Sequence, residues 1–250
     1  MSGTERVVIL VKAAPHPSRR YQETVCCAGV TPEGEWRRLY PVRFRHLSGE
    51  AKFSRWDILE YKWQRPRDDP RRESRRVEEQ SLAITGKLSK DGQAPFLDPL
   101  LRASYADAAQ RGETLTLVRP KNLSFRWRPK FEAEIAGEKA AFAAASAQGS
   151  LLDEPLRAFE PCPYHLRIGF EDAAGPHHMM CGDWETSATF FKWRRSYGEA
   201  EALSRLKDIY EKTYAPKGVA LAMGTVARRP RQWLLLGIIR MDESFQPRLL

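Results

Sequence analysis

Close to the C-terminal end, two almost uninterrupted apolar runs, Val219 to Val226 and Gln232 to Ile239, are separated only by Ala227-Arg-Arg-Pro-Arg231. Each has the length of a strand. Strands that apolar are buried on both faces, so the chain must supply layers to cover both sides of a sheet. Gly224 and Gly237 inside them point to bulges or close backbone approach. Upstream, Tyr164 to Phe170 and His177 to Trp184 read as two strands around an Asp172-Ala-Ala-Gly175 turn, which pairs residue 165 near 182. Ser196-Tyr-Gly-Glu199 has the form of a capping box, and Leu203, Leu206, Ile209 and Tyr210 line one face of the helix after it. Glu201 with Arg205 and Lys207 with Glu211 fall four apart on the wet face. Residues 151–250 are thus expected to form a ββααββ-like subdomain, a mixed sheet with helices.

The N-terminal part has a different texture. Arg6-Val-Val-Ile-Leu-Val-Lys12 and Glu23 to Val30 are β-branched runs, separated by the basic loop Pro15 to Tyr21. Thr31-Pro-Glu-Gly34 is turn chemistry, Trp36 to Tyr40 resumes an extended pattern, and Trp56 to Trp63 reads as a strand with one wet face. Together they predict a small β-barrel, an OB-like one among the options, or a curled antiparallel sheet. The spacing of Phe96, Leu97, Leu100, Leu101, Tyr105 and Ala108 predicts one helix from Ala94 to Gly112, and the Ala-rich stretch 133–148 predicts another. Three prolines between Gly149 and Pro163 set the junction there, which gives 1–150 as a β-rich basic subdomain in an α+β protein.

Charge narrows the partner. Lys and Arg number 41 against 32 Asp and Glu, a formal net charge of +9 that attracts polyanions. No stretch reaches the roughly 18 apolar residues of a membrane span, and the N-terminal residues lack the pattern of a signal peptide. Four cysteines, two of them adjacent at 26 and 27, do not form a disulfide framework. A cytosolic protein with reduced thiols and no membrane is expected. No Gly-rich phosphate loop and no Gly-x-Ser-x-Gly elbow is present, so no cofactor is expected.

Arginine pairs interleave with aromatics: Arg19-Arg20 before Tyr21, Arg37-Arg38 between Trp36 and Tyr40, Arg43 and Arg45 around Phe44, Arg126 and Arg128 around Trp127, and Arg194-Arg195 after Trp193. Guanidinium groups grip phosphates while aromatic faces stack on exposed bases, which suits DNA or RNA. Strand alternation offers a plainer alternative, with the aromatics in the core and the arginines on an ordinary wet face. The nucleic-acid reading places contacts at Lys12, Ser18, Arg19, Arg20, Tyr21, Arg38, Tyr40, Arg43, Arg45 and Arg71. The charged run Arg67 to Ser74 is either an ordered salt-bridged loop beside that face or a flexible surface loop.

Two further constellations carry catalytic or metal types. Cys162, His165, His178 and Cys181, with His177, have near-zinc spacing, but the hairpin holds residue 177 about five residues, roughly 17 Å, from the level of 165. Asp183 and Glu185, with Lys192 beyond them, match parts of a divalent-metal nuclease or phosphodiesterase site, whereas capping of a helix starting near Thr186 explains the same carboxylates. A third class is a non-catalytic subunit that meets an acidic protein partner.

The strings Lys12-x2-Pro15-x-Pro17-Ser18-x2-Tyr21-x-Glu23-x-Val25-Cys26-x-Ala28-Gly29 and Trp36-x-Arg38-Leu39-Tyr40-Pro41-x2-Phe44-Arg45 resemble those of an uncharacterised group of bacterial proteins. Asp69-Pro-Arg-x-Glu-Ser74, Asp183-Trp-Glu185 and Gly224-Thr225 belong to the same resemblance. It implies no named activity. Its polar members, Lys12, Ser18, Tyr21, Glu23, Arg38, Arg45, Arg71, Glu73 and Asp183, imply a site on the basic N-terminal face.

Overall fold

The computed structural model describes residues 2–18, 22–43, 47, 52–147 and 159–241, without the side chains of 16–18 and 22–24. The chain opens with strands β1 (Ser2–Lys12), β2 (His16–Ser18), β3 (Gln22–Val30), β4 (Trp36–Val42), β5 (Asp57–Gln64), β6 (Ser74–Val77) and β7 (Ala83–Lys87). Helix α1 (Lys90–Leu97), strand β8 (Leu101–Arg102), helix α2 (Tyr105–Gln110), strands β9 (Leu115–Val118) and β10 (Lys121–Pro129) and helix α3 (Glu132–Ser146) follow. The last part holds β11 (Tyr164–Asp172), β12 (Gly175–Met180), α4 (Trp184–Tyr197), α5 (Glu199–Asp208), a π-helical segment (Ile209–Tyr214), α6 (Ala215–Lys217), β13 (Val219–Val226) and β14 (Arg229–Arg240). The class is α+β.

Two compact units form, one from residues 1–87 and 128–165, the other from 88–127 and 166–250. In the first, strands β1, β3, β4, β6 and β5 pair in that order, and β5 pairs back onto β1, closing a five-stranded barrel. The closure is made by Val7 opposite Leu59 and Glu5 opposite Tyr61. All its pairings are antiparallel except β4 with β6, where Leu39 faces Arg75. Val7, Ile9, Val25, Leu39, Leu59 and Tyr61 are fully buried. The Thr31–Gly34 turn behaves as its residues dictate, with Gly34 at φ 84° and its N–H donating to the Thr31 carbonyl. Helix α3 lies on β2 and β3 and buries Phe142 and Ala145, with Phe142 4.8 Å from Phe159, ring centre to ring centre.

In the second unit, β14, β13, β9 and β8 form one mixed sheet, and every residue of β13 up to Thr225 is buried, as its apolar run demands. The Asp172–Gly175 turn closes the β11–β12 hairpin in the expected register, Phe170 opposite His177 and Arg167 opposite Met180. Two local readings need correction. The stretch 94–112 is not one helix: Pro99 turns the chain into a short 3-10 segment, and a new helix starts where the Ser104 hydroxyl accepts from the Asp107 N–H. The Ser196 capping box does not form either. Helix α4 runs on to Tyr197, and Gly198, at φ 85°, caps α5 without a side chain.

Candidate nucleic-acid interface

Alternation along β4 sends Arg37 and Leu39 to one side and Arg38 and Tyr40 to the other. On the inner side, at one end of the barrel, Glu5 gathers three strands. It accepts from Arg37 Nε at 3.1 Å, from Arg75 Nε at 2.8 Å and Nη2 at 3.0 Å, and from the Tyr61 hydroxyl at 3.3 Å. Burial would lower the Arg37 charge, but Glu35 and Glu5 outweigh it and hold the guanidinium firmly protonated. Burial and the neighbouring Glu5 push the Tyr61 phenol well up. Arg75 also lies 3.8 Å from the centre of the Trp63 ring. A cleft of about 590 Å³ opens beside that ring, lined by Lys62, Gln64, Arg76 and Glu78 among others. The Trp63 Nε1 is buried and finds no partner among the described residues.

On the outer side, Arg38 donates from Nε to Glu73 at 3.1 Å, and its backbone N–H donates to the Glu73 carbonyl. Arg71 forks onto Asp69 through Nε at 2.8 Å and Nη2 at 2.6 Å, and the Ser74 hydroxyl donates to the same carboxylate. Burial and the charge of Arg71 lower the Arg38 guanidinium to about 10, so two like charges are held close together with carboxylates between them. Burial raises the Asp69 carboxyl, but the hydrogen bonds from Arg71 and Ser74 outweigh it and hold it below the ordinary range. Cys26, on the neighbouring strand, lies within electrostatic reach of Arg38, Arg71 and Asp69. The charged run 67–74 is therefore an ordered, internally paired loop that leads into β6.

Of the residues expected to contact nucleic acid, Arg38 and Arg71 thus meet, Tyr40 shares their face at 37% exposure, and Arg43 pairs through its N–H and Nε with Glu79. Lys12 ends β1 opposite Cys27. Ser18 pairs with Gln22 in the β2–β3 ladder, while Arg19, Arg20, Tyr21 and Arg45 lie outside the described residues, as does the side chain of Glu23. Around the cluster, Lys62, Arg65, Arg67, Arg72 and Arg76 are exposed on β5, β6 and their connection, against the exposed carboxylates Asp68 and Glu78. The other acids of this stretch, Asp69 and Glu73, are held by Arg71 and Arg38. Sequence reading overlooked Lys62, Arg65 and Arg76, although the density of basic residues after Trp63 was visible.

The remaining constellations are held apart. Asp183 is 2% exposed and caps α4; its carboxylate accepts from the N–H of Glu185 and Ile238 and from the Thr186 hydroxyl. Thr186 in turn meets the buried Tyr210 hydroxyl at 2.6 Å. Lys192 is exposed further along α4. His165 pairs with Glu134, His177 with Asp172 and Tyr105, and Cys181 with Thr186, whereas His178 faces solvent. Cys162 is in no disulfide and is partly exposed. Among the described residues no three such groups gather to hold a metal ion, and no helix is long and apolar enough to cross a membrane.

Residues 100–249 match the family described as Domain of unknown function DUF8757. The chain belongs to the DUF8757 family. Ahead of the DUF8757 segment, residues 3–98 match a second one, Domain of unknown function DUF8758, so the barrel strands and the later sheets fall to different segments. No curated protein matches the chain. Among solved structures it aligns with a chain of a replication protein A heterotrimer bound to ssDNA, at 11% identity and a TM-score of 0.26, over 96% of this chain and 65% of that one. A likeness that low bears on neither fold nor ligand of a DUF8757 protein.

Proposed function

We propose that this protein binds nucleic acid through the outer wall of its barrel, along β5, β6 and the connection between them. One observation carries the reading. Arg65, Arg67 and Arg76 are exposed and make no ion pair with any described residue, because the nearby acids Asp69, Glu73 and Glu5 are already held by Arg71, Arg38, Arg37 and Arg75. The paired arginines thus absorb these carboxylates, and the exposed cations outnumber the exposed Asp68 and Glu78 beside them, an excess whose field attracts a polyanion. The cleft beside the Trp63 ring is lined by Lys62 and Arg76 and so lies along the same cations. Arg38 and Arg71 hold the loop in place through Glu73 and Asp69. None of the four cysteines is in a disulfide, which suits a cytosolic setting.

The test is fluorescence anisotropy with labelled 20-mers of dT and U across a salt series. Each phosphate contact contributes about 0.7 to the slope of log affinity against log salt. The triple variant R65E/R67E/R76E should weaken binding at least about 100-fold at 0.1 M salt and flatten that slope by about 2. Unchanged affinity in the triple variant removes the barrel wall as the interface. A metal-dependent nuclease has no comparable support, since the Asp183 carboxylate is engaged by Glu185, Thr186 and Ile238.

A further inference from the structure

The sheet formed by β10, β11 and β12 has one packed and one open face. Leu123, Phe125, Leu166, Ile168 and Phe170 are buried on the first, where the Phe125 ring packs tilted against Tyr210, 5.4 Å between centres. On the second, Arg126, Arg167, His178 and Met180 are all exposed. Two anchors fix how β10 and β11 run: the Lys130 N–H donates to the Pro163 carbonyl, and a Cβ on Gly169 would stand 2.5 Å from the Ser124 hydroxyl. Residue numbers at both anchors add to the same total, so the strands are antiparallel without a net bulge, and Arg126 lies directly across from Arg167. In β12 the partners are Met180 for Arg167 and His178 for Gly169.

Like charges directly opposite each other on a sheet destabilise it. The side chains of Arg126 and Arg167 make no hydrogen bond, ion pair or ring contact with any described residue; of the carboxylates around them, Glu171 is four residues from Arg167, about 13 Å at strand rise, Glu134 is held by His165 and Glu211 by the Phe125 N–H. Beside them Gly169 has no side chain, and a Cβ there would stand 3.0 Å from His178 Nδ1, so the imidazole lies low across the strand. Two uncompensated guanidinium forks and an exposed aromatic ring laid on a flat strand suit phosphates and an unstacked base. We infer that this face is a second contact surface for a single-stranded nucleic acid, with Arg126 and Arg167 on phosphates and His178 beneath a base. For its ligand this rests on the function proposed above; for its site it rests on its own residues.

The discriminating variant is R167E, which places a carboxylate beside Arg126. If the pair is only an unfavourable contact, R167E raises thermal stability and leaves binding untouched. If the face binds phosphates, stability is kept or raised while affinity for dT and U 20-mers at 0.1 M salt falls about 25-fold, two contacts at about 5-fold each, and the salt slope flattens by about 1.4. H178A should lower affinity with no change in slope. Loss in R65E/R67E/R76E with none in R167E overturns this inference and leaves the barrel reading standing. Loss in R167E alone supports it and overturns the barrel wall. No binding by the unaltered protein at low salt overturns both.

Discussion

Replacing Glu5 by Gln keeps the shape of the side chain and removes the charge shared by Arg37 and Arg75. Their side chains are 12% and 10% exposed and that of Glu5 is 19% exposed, so solvent makes up little of the loss. Removing one partner of a buried ion pair costs about 3–5 kcal/mol, and the residual exposure here points to the lower end, about 3 kcal/mol. Arg37 keeps Glu35, so Arg75 bears most of the loss. Against a total stability of roughly 5–15 kcal/mol this is a large fraction, equivalent to a fall in Tm of about 6–12 °C. Urea unfolding followed by far-UV circular dichroism, with the slope m unchanged, measures it. In the double variant E5Q/R75M the guanidinium left unmatched is gone, so the loss should be at least about 1 kcal/mol smaller than the sum of the single losses. A change below about 0.5 kcal/mol in E5Q would refute the view that Glu5 organises this end of the barrel.

Asp183→Ala should destabilise the protein by about 2 kcal/mol, through the lost cap and the lost bonds of its buried carboxylate to Thr186 and Ile238, and Mn²⁺ should not shift the melting of either form. A metal-induced rise in Tm that disappears in the variant would assign the carboxylate to coordination instead. Asp69, held below its ordinary pKa, contributes stability that is complete above the unfolded value near 3.9 and is lost as pH falls through the lower folded value. Asp69→Asn should therefore flatten the stability profile below about pH 4 while lowering stability at neutral pH, as read by acid titration of chemical unfolding.

What could be read from the sequence was what neighbours in the chain decide. The Asp172–Gly175 turn set the β11–β12 register, and the apolar run of β13 announced burial on both faces. The barrel followed from β-branched runs and Gly34. What escaped depends on distant partners. Arg75 looks like a solvated residue in a charged run, yet it is buried because Glu5, seventy positions earlier, meets it on β1. Of the two readings of the charged run before β6, the ordered one holds, closed locally by Asp69 on Arg71 and Ser74 and tied to β4 by Glu73 on Arg38. The arginines of the basic face were legible as charges, but their pairing with Asp69, Glu73 and Glu79 was not. Arg126 was visible beside Trp127, whereas its neighbour Arg167 lies on another strand and becomes a neighbour only through pairing.

Helix α3 belongs to the second family segment by sequence and to the barrel's unit by packing, where it seats Phe142 and Ala145 on the β2–β3 side. A recombination event that parted the two segments near residue 99 would send the helix off without its seat and leave the strands without their cover. The barrel's unit is thus completed by a helix that the other segment encodes.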